Sequence, residues 1–128
     1  MAANFRIITN NPAVKEAFPD VTNHYEANVE GVFKLGRDAV HLGAKLINHP
    51  LSGSIKPNES PYKSLVLSKA PADLDFYSLA HIEEALQVFY KLGIRHRDYH
   101  EGTLEDFRII DLDLIRSAIQ ALPSTYHF

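Results

Sequence analysis

Three places in the chain carry polar residues of types and spacings that could bind an anion. The first is Thr9-Asn10-Asn11-Pro12, between a run typical of a buried strand and a run typical of a helix. Free N–H groups and the positive end of a helix dipole favour an anion at such a junction. The side chains of Asn10 and Asn11 could orient a carboxylate or phosphate, and they fit a plain helix cap and turn equally.

The second place is the segment HPLSGSIKPNESPYKS, residues 49–64, which contains three prolines and has no hydrophobic period. Unstructured connections of this length are uncommon in compact domains and are often functional. Its hydroxyls, amide and lysines could hold a phosphoryl or carboxyl group. Its prolines favour a stiff, ordered connection that packs on helices or on a partner. The candidate residues in it are His49, Ser52, Gly53, Ser54, Lys56, Asn58 and Lys63.

The third place is a cationic stripe. Arg37, His41 and Lys45 recur at i, i+4 and i+8, so they would share one face of a helix. This stripe could meet an anionic ligand or the acidic surface of a partner, or it could be a solvated helix face. His49 would follow one turn later if the helix extended that far.

A metal site can be considered only at HRDYHE, residues 96–101, where imidazoles and carboxylates cluster. The spacing does not match HExxH, and Arg95 and Arg97 would repel a cation. We therefore expect no metal.

Several functional classes lack their sequence signatures. Neither GxGxxG nor a P-loop follows a strand, and SGS lacks the GxSxG pattern of a nucleophile elbow. The 128 residues include no cysteine, which excludes disulfides, thiolate metal sites and a cysteine nucleophile. We expect no cofactor. The net charge of -3 argues against nucleic-acid binding. Because no window is apolar enough to span a membrane, we expect a cytoplasmic protein.

Hydrophobic periodicity and turn residues predict the elements that must position these groups. Strands are predicted at 5–9, at 21–27 in an edge position, and at 63–69; helices are predicted at 12–18, 31–48 and 76–92. The helix predicted at 76–92 has an apolar stripe of Phe76, Leu79, Ile82, Leu86 and Phe89. Residues 104–111 fit either a helical turn or a fourth strand, in the latter case with Asp111 capping a final helix to about residue 122. A tail at 124–128 could fray or dock.

Strands that alternate with helices predict an α/β fold, a single domain over residues 1–128. We expect a small sandwich whose mostly parallel sheet of three or four strands has the order 2-1-3 and is flanked by helices. A crevice would then lie beyond the carboxyl ends of the first and third strands. The segment at 49–63 would enter at the opposite, amino edge.

The stretch RDAVHLGAKLINHPLSGSIKPNESPYKSLVLS, residues 37–68, resembles the GrdX family, as do IITNNP near the start and LDFYSLAHIEEA in the third helix. GrdX proteins accompany the genes of selenium-dependent glycine, sarcosine and betaine reductases, and the resemblance implies a setting without an established activity. Those reductases work through selenocysteine and thiols, so a chain without cysteine would serve there by binding.

The resulting hypothesis is a noncatalytic accessory protein of the reductase system, whose contact surface comprises Arg37, His41, Lys45 and the segment 49–63. Its partners would be reductase subunits or a small anion, and neither nucleic acid nor a membrane. The alternative is a small-ligand binder or an enzyme acting on a carboxylated or phosphorylated metabolite. That alternative requires the asparagines, the cations and the loop to converge in space.

Overall fold

The computed structural model describes residues 3–53, 56–70, 72–93 and 98–126. Within them, the strands are β1 Phe5–Thr9, β2 Thr22–His24 and β3 Ser64–Ser68. The helices are α1 Pro12–Ala17, α2 Val29–His41, α3 Phe76–Leu92 and α4 Glu101–Gln120, followed by a 3-10 turn at Ser124–Tyr126.

The strand order is β2-β1-β3, which confirms the predicted α/β fold and its order. β1 and β2 are parallel, with β2 short and at the edge as expected. β1 and β3 are antiparallel, with Thr9 opposite Ser64. The sheet is therefore mixed, and the expectation of a mostly parallel sheet is wrong at β3.

The cause of this reversal lies just after α2. The helix ends at His41, not near residue 48, because Gly43 turns the chain at a φ of 103°, in the left-handed region. Residues 44–48 then run extended along β3: Ser68 N donates to Lys45 O and Ile47 N donates to Val66 O, both at 2.8 Å. Residues 44–48 thus carry the chain from the amino edge of the sheet to the opposite edge, as a parallel third strand would have done. β3 therefore begins at that opposite edge and runs antiparallel to β1.

The reversal moves the long segment to the other edge of the sheet. Residues 49–63 lead into Ser64, which lies beside Thr9 at the end of β1. We call this edge, where β1 ends and β3 begins, the carboxyl edge. The segment was expected at the amino edge, where ligands seldom bind, and it lies instead at the edge that the topology rule favours.

Helices cover both faces of the sheet. Alternate residues of each strand point to opposite faces, so each face has its own core. The core under α2 and α3 is built around Ile8, Val32, Phe33, Val40, Leu65, Leu67, Ile82 and Phe89. The core under α1 and α4 is built around Phe5, Ile7, Val14, Val66, Ile115, Ile119 and Leu122.

Asparagine and aspartate side chains start the first three helices. Asn11 accepts from Ala13 N at 3.0 Å and Asn28 accepts from Gly31 N at 2.8 Å, while Asp75 caps α3. Pro12 occupies the first turn of α1, as predicted, because no N–H is needed there.

Residues 104–111 form neither a short helical turn nor a fourth strand, because they lie within one long helix, α4. Asp111, Ile115 and Ile119 recur at i, i+4 and i+8 and form its buried stripe. Asp111 thus lies inside a helix and caps nothing.

The two ends of the described chain dock together. Asn4 N donates to Tyr126 O at 2.9 Å, and Asn4 Nδ2 donates to Thr125 O at 3.0 Å. In the described part of the chain, no helix is both long enough and apolar enough to span a membrane.

Candidate ligand-binding site

The Asn10 side chain joins two connections at the carboxyl edge. Its Nδ2 donates to Ala27 O and to Pro61 O, both at 2.8 Å, and its Oδ1 accepts from Lys63 N at 2.9 Å. The amide therefore links the β2–α2 connection to the end of the long segment. Both of its N–H hydrogens are used, so Asn10 supports the site and has no donor left for a ligand.

Between these connections lies a cavity of about 660 Å³, which we call the carboxyl-edge cavity. This volume is within the range of roughly 300 to 1,000 Å³ that is typical of small-molecule sites. The described residues that line it are Asn10, Tyr25, Glu26, Ala27, Asn28, Val29, Pro57, Asn58, Glu59, Ser60, Pro61, Tyr62, Phe89, Asp98, Tyr99 and Leu104.

The charges on this lining are all negative. Glu26, Glu59 and Asp98 contribute carboxylates, and the described lining includes no lysine, arginine or histidine. Glu26 and Asp98 are exposed and Glu59 is half-buried. The local field therefore favours a cation over an anion.

Tyrosine rings form much of the wall, and two of them are fixed by hydrogen bonds. Tyr99 donates its hydroxyl hydrogen to Glu59 O at 2.6 Å and packs edge-on against Phe107, with ring centroids 5.2 Å apart. Tyr62 accepts from Arg108 Nη1 at 2.9 Å, and the guanidinium lies 5.7 Å from its ring centroid. These contacts hold the rings in place before any ligand enters.

Arg108 is itself held by carboxylates of its own helix. It forms ion pairs with Glu101 and, at 3.6 Å, with Glu105. The Glu101 contact and the Tyr62 hydroxyl raise the pKa of Arg108 above its already high ordinary value. Arg108 therefore remains a cation that is neutralised beside the cavity.

Asn58 leaves an acceptor without a partner. Its Nδ2 donates to Gly93 O at 3.0 Å and, more weakly, to Leu92 O at 3.4 Å, which ties the long segment to the end of α3. Its Oδ1 is buried and has no hydrogen-bond partner among the described residues. A buried acceptor without a partner is rare in native proteins.

A buried acid lies behind the cavity. Asp111 Oδ2 lies 2.6 Å from Ser64 Oγ and accepts from Asn11 Nδ2 at 3.0 Å. Ser64 Oγ lies 2.6 Å from Thr9 Oγ1, which donates to Lys63 O at 3.1 Å. Asp111 is 7% exposed.

Hydrogen bonds connect Asp111 to the backbone of Lys63. Ser64 Oγ donates to Asp111 Oδ2, and the contacts from Ser64 to Thr9 and from Thr9 to the Lys63 carbonyl continue the path. Burial raises the pKa of Asp111, and the hydrogen bonds from Ser64 and Asn11 and the charge of Lys63 offset this only in part.

A second, smaller cavity of about 30 Å³ lies on the other side of Tyr62. Its lining includes Ser52, Lys56, Ser60, Lys63 and Asp111, so part of the predicted anion-binding set does converge there. The space holds about one or two water molecules and is too small for a phosphate. Burial lowers the pKa of Lys63, although the charge of Asp111 opposes the shift.

The family model for GrdX-like proteins matches residues 6–120. The chain belongs to the GrdX-like protein family. Searches of curated proteins and of solved structures found no match.

Two other predicted site residues of this GrdX-like protein, Asn11 and Gly53, have structural roles. Asn11 caps α1 and bonds to Asp111 and to Arg108 O. Gly53 turns at a φ of 100°, and a Cβ there would lie 3.0 Å from Leu114. Ser54 lies outside the described residues.

His49 also has a local role. It accepts from Leu51 N at 3.1 Å, and its ring centroid lies 5.0 Å from that of His81 on α3.

The cationic residues lie away from the cavity. Lys45 bonds to Ser68, at the far end of β3. His41 ends α2, the helix that begins at the cavity with Val29, so it lies about 18 Å along the axis from the lining. Because α2 stops at His41, Lys45 does not continue the helical face of Arg37 and His41. The structure does not bring this set together with the cavity.

The HRDYHE cluster falls partly on residues 96–97, which lie outside the described residues. Among the residues that the structure describes, no group of three His, Cys, Asp or Glu side chains could hold a metal ion.

The sequence reasoning missed the tyrosines of the wall and Asp111. An available signal for Asp111 was its spacing of four from Ile115 and eight from Ile119, which places an acid on an apolar face. No comparable signal marked Tyr25 or Tyr99, because they reach the cavity from unconnected loops.

Proposed function

We propose that this GrdX-like protein is a noncatalytic accessory protein of the glycine, sarcosine and betaine reductase system, and that it binds a small molecule in the carboxyl-edge cavity. The binding function is supported by the identity of the residues that form the wall of the cavity. Residues 57–62 of the long segment, which also carries the family resemblance, form one side of the cavity. The reductase setting rests on the resemblance of residues 37–68 to GrdX proteins.

The groups on the wall support binding rather than catalysis. A serine or tyrosine nucleophile would need a hydrogen bond to a neighbouring side-chain base, and no such bond is formed by the described hydroxyls of Ser60 and Tyr99. Ser60 Oγ bonds to the backbone of Tyr62, and the Tyr99 hydroxyl bonds to the Glu59 carbonyl. These hydroxyls hold the wall together.

A surface at the opposite end of the molecule suits a protein partner. Phe76 is 74% exposed, although the apolar stripe of α3 predicted it in the core, and Leu42 and Tyr77 are each 80% exposed. The end of α2 adjoins the start of α3, because Ala72 N donates to Gly43 O at 3.2 Å. We call the surface formed by Leu42, Phe76 and Tyr77 the apolar end.

The cationic residues predicted for partner contact are neighbours of Leu42 in the sequence. His41 precedes Leu42 and Arg37 lies one turn earlier on α2, while Lys45 follows the turn at Gly43. An apolar patch rimmed by charge is typical of a protein interaction site. We propose this end as the contact for a reductase subunit.

The test of the accessory role is retention of purified reductase subunits under anaerobic conditions. The wild-type protein on beads is compared with a Phe76→Ser/Tyr77→Ser variant, whose two exposed substitutions leave both cores intact. We expect the wild type to retain a subunit and the variant to lose most of it. Failure of the wild type to retain any subunit contradicts the reductase role.

The test of the binding role is a thermal-shift screen of amines, carboxylates and phosphorylated metabolites. A compound that raises the melting temperature of the wild type is retested on Tyr25→Leu, which alters the wall at an exposed ring. We expect a smaller shift in the variant. If no compound shifts the wild type, cavity binding is wrong.

A further inference from the structure

We propose that the carboxyl-edge cavity takes a small organic cation, carrying an ammonium or methylated ammonium group. This inference rests on the proposed function, since it requires the cavity to be a binding site. It adds the class of ligand, and it differs from the anion that the asparagines and lysines suggested.

The first argument is that four side chains of the wall, those of Asn10, Asn58, Ser60 and Tyr99, already use their hydrogen-bond donors within the protein. An anion needs donors, and both Nδ2 hydrogens of Asn10 go to backbone carbonyls. Asn58 Nδ2 donates to the end of α3, and the Tyr99 hydroxyl donates to Glu59 O. Ser60 Oγ donates to Tyr62 O. These side chains offer an anion few donors.

The second argument is that the acceptors remain. The carboxylates of Glu26, Glu59 and Asp98 line the cavity and form no ion pair with a described residue. A wall whose described charges are all negative is complementary to a ligand that carries N–H groups or positive charge.

The third argument is the aromatic wall. Tyr25, Tyr62, Phe89 and Tyr99 contribute rings, and the face of an aromatic ring attracts a cation that lies within about 6 Å of its centroid. Tyr62 shows this attraction within the protein, because the Arg108 guanidinium already lies 5.7 Å from its centroid. Rings combined with carboxylates form the kind of cage that binds quaternary ammonium groups.

The neighbouring cations do not alter this electrostatic balance. Arg108 is engaged by Glu101 and Glu105. Lys63 is not among the described residues that line the cavity, and its Nζ lies 5.9 Å from the ring centroid of Phe33. A phosphate in the cavity would therefore face three carboxylates without a free cation among the described lining residues.

The experiment is a calorimetric titration with tetramethylammonium chloride and with choline chloride, compared with sodium phosphate and sodium acetate at matched ionic strength. We expect both cations to bind and both anions to be silent. Glu59→Gln and Tyr25→Leu should each weaken cation binding at least fivefold. Glu84→Gln removes an exposed carboxylate on α3 outside the cavity and should leave cation binding unchanged.

The outcomes separate this inference from the proposed function. Binding of phosphate or acetate with no binding of either cation overturns the cation class and leaves the cavity a ligand site. Cation binding that Glu59→Gln and Tyr25→Leu leave unchanged also overturns it, because the cation would then bind elsewhere. If no probe binds, the inference is wrong, and retention of a reductase subunit would still support the accessory role.

Discussion

The residue that deviates most from ordinary behaviour is Asp111, a carboxyl buried on an otherwise apolar helix stripe. Burial of an ionised carboxylate is costly, so burial raises the pKa of this group. The carboxyl accepts from Ser64, and the path continues through Thr9 to the backbone of Lys63. That path fastens α4 to the place where β1 and β3 meet.

The raised pKa of Asp111 predicts how stability depends on pH. An unfolded aspartate titrates at about 3.9, and the folded pKa is higher. Between the two values the folded state binds more protons, so the free energy of unfolding falls as pH rises from about 4 to the folded pKa. The loss is about 1.4 kcal/mol per unit by which the pKa is raised.

Asp111→Asn removes this titration. The free energy of unfolding of the variant should therefore not fall with pH on account of residue 111, so the variant should become more stable relative to the wild type as pH rises. A lost hydrogen bond could cost the variant about 1 kcal/mol at low pH without changing this trend. Guanidinium unfolding from pH 4.5 to 8 measures both profiles. Asp113→Asn, an exposed neighbour, should follow the wild type. Parallel profiles for Asp111→Asn and the wild type would contradict the raised pKa of Asp111.

At the scale of elements, the sequence predicted the identities of strands and helices better than their directions. β3 has four consecutive buried residues, and such a run looks the same in a parallel and in an antiparallel strand. The predicted second helix continued to residue 48, beyond the observed end of α2 at His41, because Leu46 continues the helical spacing of Leu42. Leu46 instead pairs with Leu67 in an isolated bridge.

The site was predictable only where its residues are adjacent in sequence. Residues 49–64 stood out by composition, and part of that segment does form the wall. Their meeting with Tyr25, Phe89 and Tyr99 depends on the reversal of β3, which is a tertiary outcome. A polar residue such as Asn10 gives no local sign of whether it will face a ligand or a backbone.

The turn at Gly43 determines that reversal, and its substitution tests this. In Gly43→Ala, a Cβ would lie 2.3 Å from the Ala72 carbonyl oxygen, at a φ of 103° that alanine rarely adopts. We expect a loss of about 2 kcal/mol or more in the free energy of unfolding. Gly102→Ala is the matched control, because Gly102 lies in α4 with nothing within 4 Å of its Cβ position. It should be neutral or stabilising by up to about 1 kcal/mol. Equal effects of the two changes in chemical denaturation would contradict the role of Gly43.

The whole molecule has two dissimilar ends. The acidic, aromatic cavity lies at the carboxyl edge, and the apolar end with its cations lies at the other, about one length of α2 away. At physiological ionic strength the Debye length is about 8 Å, so surface charges at one end act weakly at the other. The proposed ligand and the proposed partner would therefore bind to separate surfaces.

This separation predicts that the two proposed binding functions respond independently to substitution. Glu59→Gln should weaken tetramethylammonium binding and leave subunit retention intact. Phe76→Ser/Tyr77→Ser should have the reverse effects. Calorimetry and the anaerobic retention assay, run on both variants, measure this. If either variant impairs both activities while its thermal unfolding is unchanged, the two ends are coupled.

The docking of Asn4 on Thr125 and Tyr126 bears on how the protein can be handled. Asn4 bonds to Tyr126, and its own carbonyl accepts from Lys69 N, beside the Ser68 that holds Lys45. A purification tag fused beside these residues would lie near the start of β1, at the edge of the sheet opposite the cavity. A bait for partner capture is better attached through a thiol. Because the chain has no cysteine, Asp113→Cys on the exposed side of α4 would provide a unique attachment point.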